Sequence, residues 1–165
     1  MKREPIITID EVKKCVALLH KDYRDCEIHI FYSKLSFLKW CLKVKFFDTD
    51  QIKKVLKGKT AGYYRYDRNH AHIYLFSHKV PERYFKLNVI HTVFHEVRHY
   101  YQRNYQKNKW SGNRGVSYGI GDYRYKSAPV ERDANKFAAR MAIKHREEIS
   151  KILNVYPDWT VNGYE

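Results

Sequence analysis

The apolar positions in the first half of the chain fall into short groups of different spacing. Thr8-x-x-Glu11 has the form of a capping box, and Val12, Val16, Leu19 and Tyr23 follow at helical intervals, which predicts a helix near 9–21. Between Cys26 and Tyr32, the residues Ile28, Ile30 and Tyr32 alternate with polar ones, the period of a strand. The segment 34–57 is mixed, with helical spacing fitting better than strand, and stops at Gly58. Gly62-Tyr-Tyr-Arg-Tyr and Ala71-His-Ile-Tyr-Leu-Phe then flank Asp67-Arg-Asn-His70, the pattern of an antiparallel hairpin.

The second half is dominated by one long apolar run. After Pro81, the residues Tyr84, Phe85, Leu87, Val89, Ile90, Val93, Phe94, Val97, Tyr100 and Tyr101 recur at helical intervals and cover most of the circumference. A helix over 81–105 with that pattern must have neighbours on several sides. From Asn104 to Ser127 the composition turns to Gly and Tyr and the period is lost, which predicts a long loop. Pro129 opens another helix, with Val130, Ala134, Phe137, Ala138, Met141 and Ile143 inward, to about residue 148. No repeat or linker interrupts the chain, so residues 1–165 read as one α+β domain: a short, mainly antiparallel sheet on a central helix and its successor.

Composition narrows the function classes. A net charge of +14 comes with 44% apolar and 16% aromatic residues, too much hydrophobic material for a disordered basic tail. No uninterrupted apolar run is long enough to span a membrane, and Met1-Lys2-Arg3-Glu4-Pro5 meets charge where a signal peptide needs an apolar stretch; the expected location is cytoplasmic. Cys15, Cys26 and Cys41 are odd in number and lack Cys-x-x-Cys spacing, so buried reduced thiols are expected instead of disulfides or a cysteine-rich metal site. The positive charge would attract an anionic partner without saying which one.

The chemistry-bearing motif lies on the long helix: His95-Glu96-Val97-Arg98-His99, an H-E-x-x-H sequence. Four residues turn an α-helix by about 400°, so both imidazoles leave one face, roughly 6 Å apart at their origins, and can reach one ion. Glu96 lies about 100° round the axis, positioned to reach water beside that ion without displacing a histidine. In a chain of this composition the motif arises by chance at a frequency of roughly 3% and alone is only suggestive; the strong apolar period of the helix and the need of buried imidazoles for a partner strengthen it, and a catalytic zinc takes a third protein ligand from elsewhere. His70, His72, His78 and His145 qualify by type, and the helix after Pro129 adds Glu131 and Asp133. His91 continues the column one turn earlier and is expected to be structural or to hydrogen-bond beneath the site.

Glu131-Arg-Asp133-Ala134-Asn135-Lys-Phe137-Ala138, read together with the first motif, resembles the gluzincin metallopeptidases, in which H-E-x-x-H on one helix is completed by Glu on the next. The closer likeness is to the ImmA/IrrE-type intracellular peptidases, whose second helix reads E-x-(D/E)-A-N-x-F-A. The resemblance covers roughly residues 60–140. It implies a zincin-like domain with a catalytic core over 60–148, a Zn2+ ion held by His95, His99 and Glu131, and Glu96 as general base. It also implies that Asn135 hydrogen-bonds a ligand histidine, that Asp133 orients the site or caps the helix, and that the strand 71–76 pairs with an extended protein or peptide substrate, often a regulator or repressor. Arg98 stands where many relatives carry Gly. A SprT-like, DNA-associated protease is a further relative, but those use a third histidine.

The expected activity is zinc-dependent hydrolysis of a peptide bond, with Tyr118, Tyr123 and Tyr125 as loop candidates for steadying the oxyanion. Two alternatives stand beside it. Tyr63-Tyr-Arg-Tyr-Asp-Arg and Tyr123-Arg-Tyr-Lys interleave stacking faces with cations, as in a nucleic-acid-binding protein. A latent zincin, its metal merely joining two helices, is the other.

Overall fold

The computed structural model describes residues 6–107 and 128–156. Among them are six α-helices and one three-stranded sheet, an α+β arrangement: α1 (Ile9–Val16), β1 (Glu27–Phe31), α2 (Lys34–Lys43), α3 (Thr49–Leu56), β2 (Gly62–Arg65), β3 (His70–Tyr74), α4 (Glu82–Tyr105), α5 (Pro129–Lys144) and α6 (Arg146–Leu153).

Helix α1 starts where its capping box predicts. Thr8 Oγ1 accepts the Glu11 N–H at 3.1 Å and Glu11 Oε2 accepts the Thr8 N–H at 2.6 Å. It stops at Val16, short of residue 21, because Arg24 folds back and donates to the carbonyls of Ala17 (2.8 Å) and Leu19 (3.1 Å), which takes over the helix end. A 3-10 turn, Lys21–Tyr23, follows and stacks the Tyr23 ring on Tyr101 and Phe137. The mixed segment 34–57 is two helices: Lys45 takes a left-handed conformation (φ 53°) after α2, and Asp48 caps α3 by accepting the Gln51 N–H at 2.9 Å. Likewise the helix expected to run from 129 to 148 breaks at His145, and α6 carries on to Leu153.

The hairpin forms as β2 and β3, with Asn69 supplying the left-handed turn position (φ 56°). The expectation of a mainly antiparallel sheet needs correction, because the strand order is β1-β3-β2 and β1 pairs with β3 in parallel, from Glu27 opposite His70 to Phe31 opposite Tyr74. Helices α2 and α3 lie between β1 and the hairpin and carry the chain back across the sheet, the kind of crossover that parallel strands require.

Alternation along the strands sorts the residues onto two faces. Ile28, Ile30, Tyr64, Ala71 and Ile73 pack with Val89, Ile90, Val93, Phe94 and Val97 of α4, in a core that also takes in α1, α5 and α6. Phe31, Tyr63 and Tyr74 point the other way, against Phe37, Trp40, Cys41 and Val55 of α2 and α3. Helix α4 is therefore enclosed between the sheet and α5, which accounts for its nearly continuous apolar surface. Cys15, Cys26 and Cys41 are buried free thiols, those of Cys15 and Cys26 pushed up to about 12 by burial. Among the described residues no helix is long and apolar enough to cross a membrane.

Candidate metal centre

Helices α4 and α5 approach closely because the face that α5 turns inward is made largely of small residues. Ala134, Ala138 and Ala142 are fully buried, and a helix pair with alanine at the contact can sit near the short end of the usual interaxial range. Pro129 occupies the first turn of α5 and places Glu131 beside it, where the helix dipole favours a carboxylate. Glu131 thus points across to the turn of α4 that carries His95 and His99.

The three side chains converge. His95 Nε2 is 3.0 Å from His99 Nε2 and 3.2 Å from Glu131 Oε2, while His99 Nε2 is 3.4 Å from Glu131 Oε1. Ligands of a tetrahedral zinc ion, each about 2.0–2.1 Å from the metal, stand about 3.3 Å from one another, so this spacing fits such an ion. All three side chains are largely buried, at 14%, 7% and 12% exposure for His95, His99 and Glu131.

The surrounding hydrogen bonds determine which ring nitrogens carry protons. Gln102 donates its amide nitrogen to Val130 O (3.0 Å) and Asp133 Oδ2 (2.7 Å), which leaves its oxygen facing His99 Nδ1 at 2.8 Å. That oxygen can only accept, so Nδ1 of His99 is the donor, and in the neutral ring Nε2 presents its lone pair inward. His95 Nδ1 lies 3.0 Å from Asn135 Oδ1, one turn beyond Glu131; donating to that oxygen leaves Nε2 facing inward, as in His99. With both rings neutral, two lone pairs and a carboxylate would meet here; without a metal a proton relieves that crowding, and a divalent cation can take its place. The same demand appears in the ionisation. Burial pulls the His99 imidazole down, but Glu131 and Glu96 outweigh it and hold its pKa at about 9. Burial likewise opposes ionisation of Glu131, yet His95 and His99 keep its carboxyl well below the usual carboxylate range.

Arg98 joins this support one turn before Gln102 on α4. It donates to Asp133 at 2.8 and 3.3 Å and to the Tyr23 hydroxyl, and lies over the rings of Tyr101 and Phe137. Asp133 thereby connects Arg98 to Gln102, and through Gln102 to His99.

Glu96 faces the sheet. It is buried at 6% exposure and accepts a hydrogen bond from the Tyr64 backbone N–H. Burial pushes its carboxyl up, the charges of His95 and His99 pull it down, and Glu131 adds to the rise; the net effect is upward. Strand β2 approaches this helix so closely that a Cβ on Gly62 would stand 2.6 Å from Glu96 Oε1 and 2.6 Å from Thr92 Cγ2.

The other sequence candidates lie elsewhere. His145 ends α5, about 21 Å along the helix from Glu131. His70 and His72 belong to the sheet face turned away from α4, and His78 pairs with Asn88 Oδ1 at 2.8 Å. His91 is partly buried, its pKa lowered to about 4 by burial and then by His95. Tyr118, Tyr123 and Tyr125 fall outside the described residues, as does most of the expected 104–127 loop. The strand expected to pair with substrate is central in the sheet, both its edges taken by β1 and β2, which are the outer strands among the described residues. Of the aromatic and basic run at 63–68, Tyr64 bonds Asn69, and Arg65 pairs with Asp67 and lies over Trp40 and Phe46, so these two side chains are committed within the fold.

Gln102, Arg98 and Gly62 had no assigned part in the sequence reading. Gln102 was discoverable, since it is three residues after His99 and shares its helix face. The described residues hold two groups of His and Glu side chains close enough to bind one ion each: His95, His99 and Glu131, and Glu27, His29 and His70. No family model, curated protein or solved structure matches the chain.

Proposed function

We propose that this chain is a metal-dependent peptidase that hydrolyses a peptide bond in a protein or peptide substrate, with His95, His99 and Glu131 as ligands of a zinc ion and Glu96 as general base. The observation that carries the reading is the orientation of His99: Gln102 obliges Nδ1 to donate, so Nε2, which faces the His95 ring and the Glu131 carboxylate, is the nitrogen left for a metal. The likeness of the two helix motifs to gluzincins and to ImmA/IrrE-type peptidases supports it. Two imidazoles and one carboxylate are a ligand set suited to catalytic zinc.

An ion held there supplies a Lewis acid, polarising a carbonyl oxygen and acidifying water. The chain's own residues do the rest. Glu96 takes a proton from the attacking water and returns it to the departing amine; a carboxylate with its pKa raised by burial is suited to both transfers. Asn135 and Gln102 hold the two rings in the orientation that keeps their lone pairs inward. The buried free thiols suit a reducing compartment such as the cytoplasm.

Zinc-loaded protein is expected to cleave an unfolded substrate such as casein. Glu96→Gln should keep its zinc and lose about 100- to 10,000-fold in rate. Glu131→Ala should lose affinity for the metal itself. Full activity in Glu96→Gln, or no cleavage by the zinc-loaded wild type, overturns the reading.

A further inference from the structure

The sheet carries a second cluster on the face opposite the H-E-x-x-H helix. Glu27 and His29 are two apart on the edge strand β1, and His70 and His72 are two apart on β3, where Glu27 stands opposite His70 and His29 opposite His72. Four side chains thus form a square on one face. His29 Nε2 lies 2.9 Å from Glu27 Oε1, and His70 Nε2 lies 3.0 Å from Glu27 Oε2, with the two rings 4.6 Å apart.

These contacts do not complete the hydrogen bonding of the rings. His29 Nε2 is buried and has no hydrogen-bond partner, although a carboxylate oxygen is within reach: the nitrogen and oxygen are close but not aligned. His70 Nδ1 and His72 Nε2 are likewise buried without a partner, and His72 is only 1% exposed. A simple ion pair would set the imidazole N–H on the line to the carboxylate. Ligands of a shared cation instead point at a common centre, off the line that joins them. Arg65, beside His70 on β2, does not compete for the carboxylate, since it is held by Asp67 at 2.6 Å and lies over Trp40 and Phe46.

We propose that Glu27, His29 and His70 bind a second divalent ion of the zinc class, which clips the edge strand β1 to β3 on the face of the sheet away from His95 and His99. Two imidazoles and a carboxylate suit zinc, nickel or copper better than calcium or magnesium. The clip joins positions far apart in sequence and therefore stabilises the folded chain by mass action of the ion. It stands independently of any catalytic role for the first cluster.

Zinc is the probe. Equilibrium dialysis of the full chain, with metal content measured per chain, is expected to give two ions for the wild type and one for Glu27→Gln or His29→Gln. In a Glu131→Ala background the remaining ion should raise the melting temperature, and adding Glu27→Gln should abolish that rise. Its affinity should drop by more than the roughly tenfold that loss of an outer hydrogen bond costs. Glu27 is largely exposed, at 62%, so its replacement leaves the fold intact and isolates the metal effect. Zinc binding that both Glu27→Gln and His29→Gln leave unchanged, in number and affinity, overturns the proposal.

Discussion

At His99, the nitrogen that faces away from Glu131 governs what the other one does. Gln102 is fully buried and makes three hydrogen bonds, so its amide has one orientation and the His99 tautomer follows from it. Gln102→Leu removes that instruction while keeping the side chain's bulk. Zinc affinity at the His95/His99 site is expected to fall about 10- to 100-fold, measured by competition with a chelator, while the helix content in circular dichroism is unchanged. Asp133→Asn should give a milder loss, because Gln102 keeps Val130 O as a partner and Arg98 keeps Tyr23. The ligand histidines were legible in the sequence because four-residue spacing on a helix is itself geometric information. Glu131 was reached through resemblance, since the closeness of two helices separated by a long connection is not written in spacing. Asp133 could not be assigned alone, for its role depends on Arg98 and Gln102 from the other helix.

Helix α4 holds the ligands because its neighbours approach to unequal depths. Alanines let α5 in on one side, and Gly62 lets β2 in on the other, against Glu96. Gly62→Ala puts a methyl group within 2.6 Å of both Glu96 Oε1 and Thr92 Cγ2, so the strand or the carboxylate must move. The variant should lose about 1–3 kcal/mol in chemical denaturation, as overpacking does, and should lose proteolytic rate with zinc content retained. Equal rate and stability to the wild type would show that the close approach has no bearing on Glu96. The existence and extent of α4 were readable from its apolar period, and the hairpin from its turn residues. The early end of α1 was not, because it depends on Arg24 reaching back in space to two carbonyls. The division of 34–57 is marked locally by Asp48, but only the broken ladder around Lys45 makes that cap visible.

Across the whole molecule, the buried imidazoles predict how stability responds to pH. His72 is held neutral by burial, its pKa down at about 3, and His91 is held at about 4; both titrate near 6.5 when unfolded. As pH falls below 6.5 the unfolded chain takes up protons that these native side chains refuse, so stability declines. His99 acts in the opposite sense: with its pKa raised to about 9, its contribution is complete below 6.5 and is lost as pH climbs towards 9. Metal-free protein should therefore melt highest near pH 6.5 and lower on either side. Zinc should remove the alkaline decline, because binding deprotonates His99 in any case; a melting temperature that is flat across this range would refute the assignment. At this scale the sequence was least informative: strand pairing between β1 and β3 depends on how α2 and α3 return the chain, and the two faces of the sheet become distinct only once that pairing is known. The convergence of α4 and α5 on one cation is tested most directly by anomalous diffraction at the zinc edge, from crystals of the full chain grown with zinc. A peak is expected between Nε2 of His95, Nε2 of His99 and the Glu131 carboxylate, and a map with no peak among those three groups would contradict that convergence.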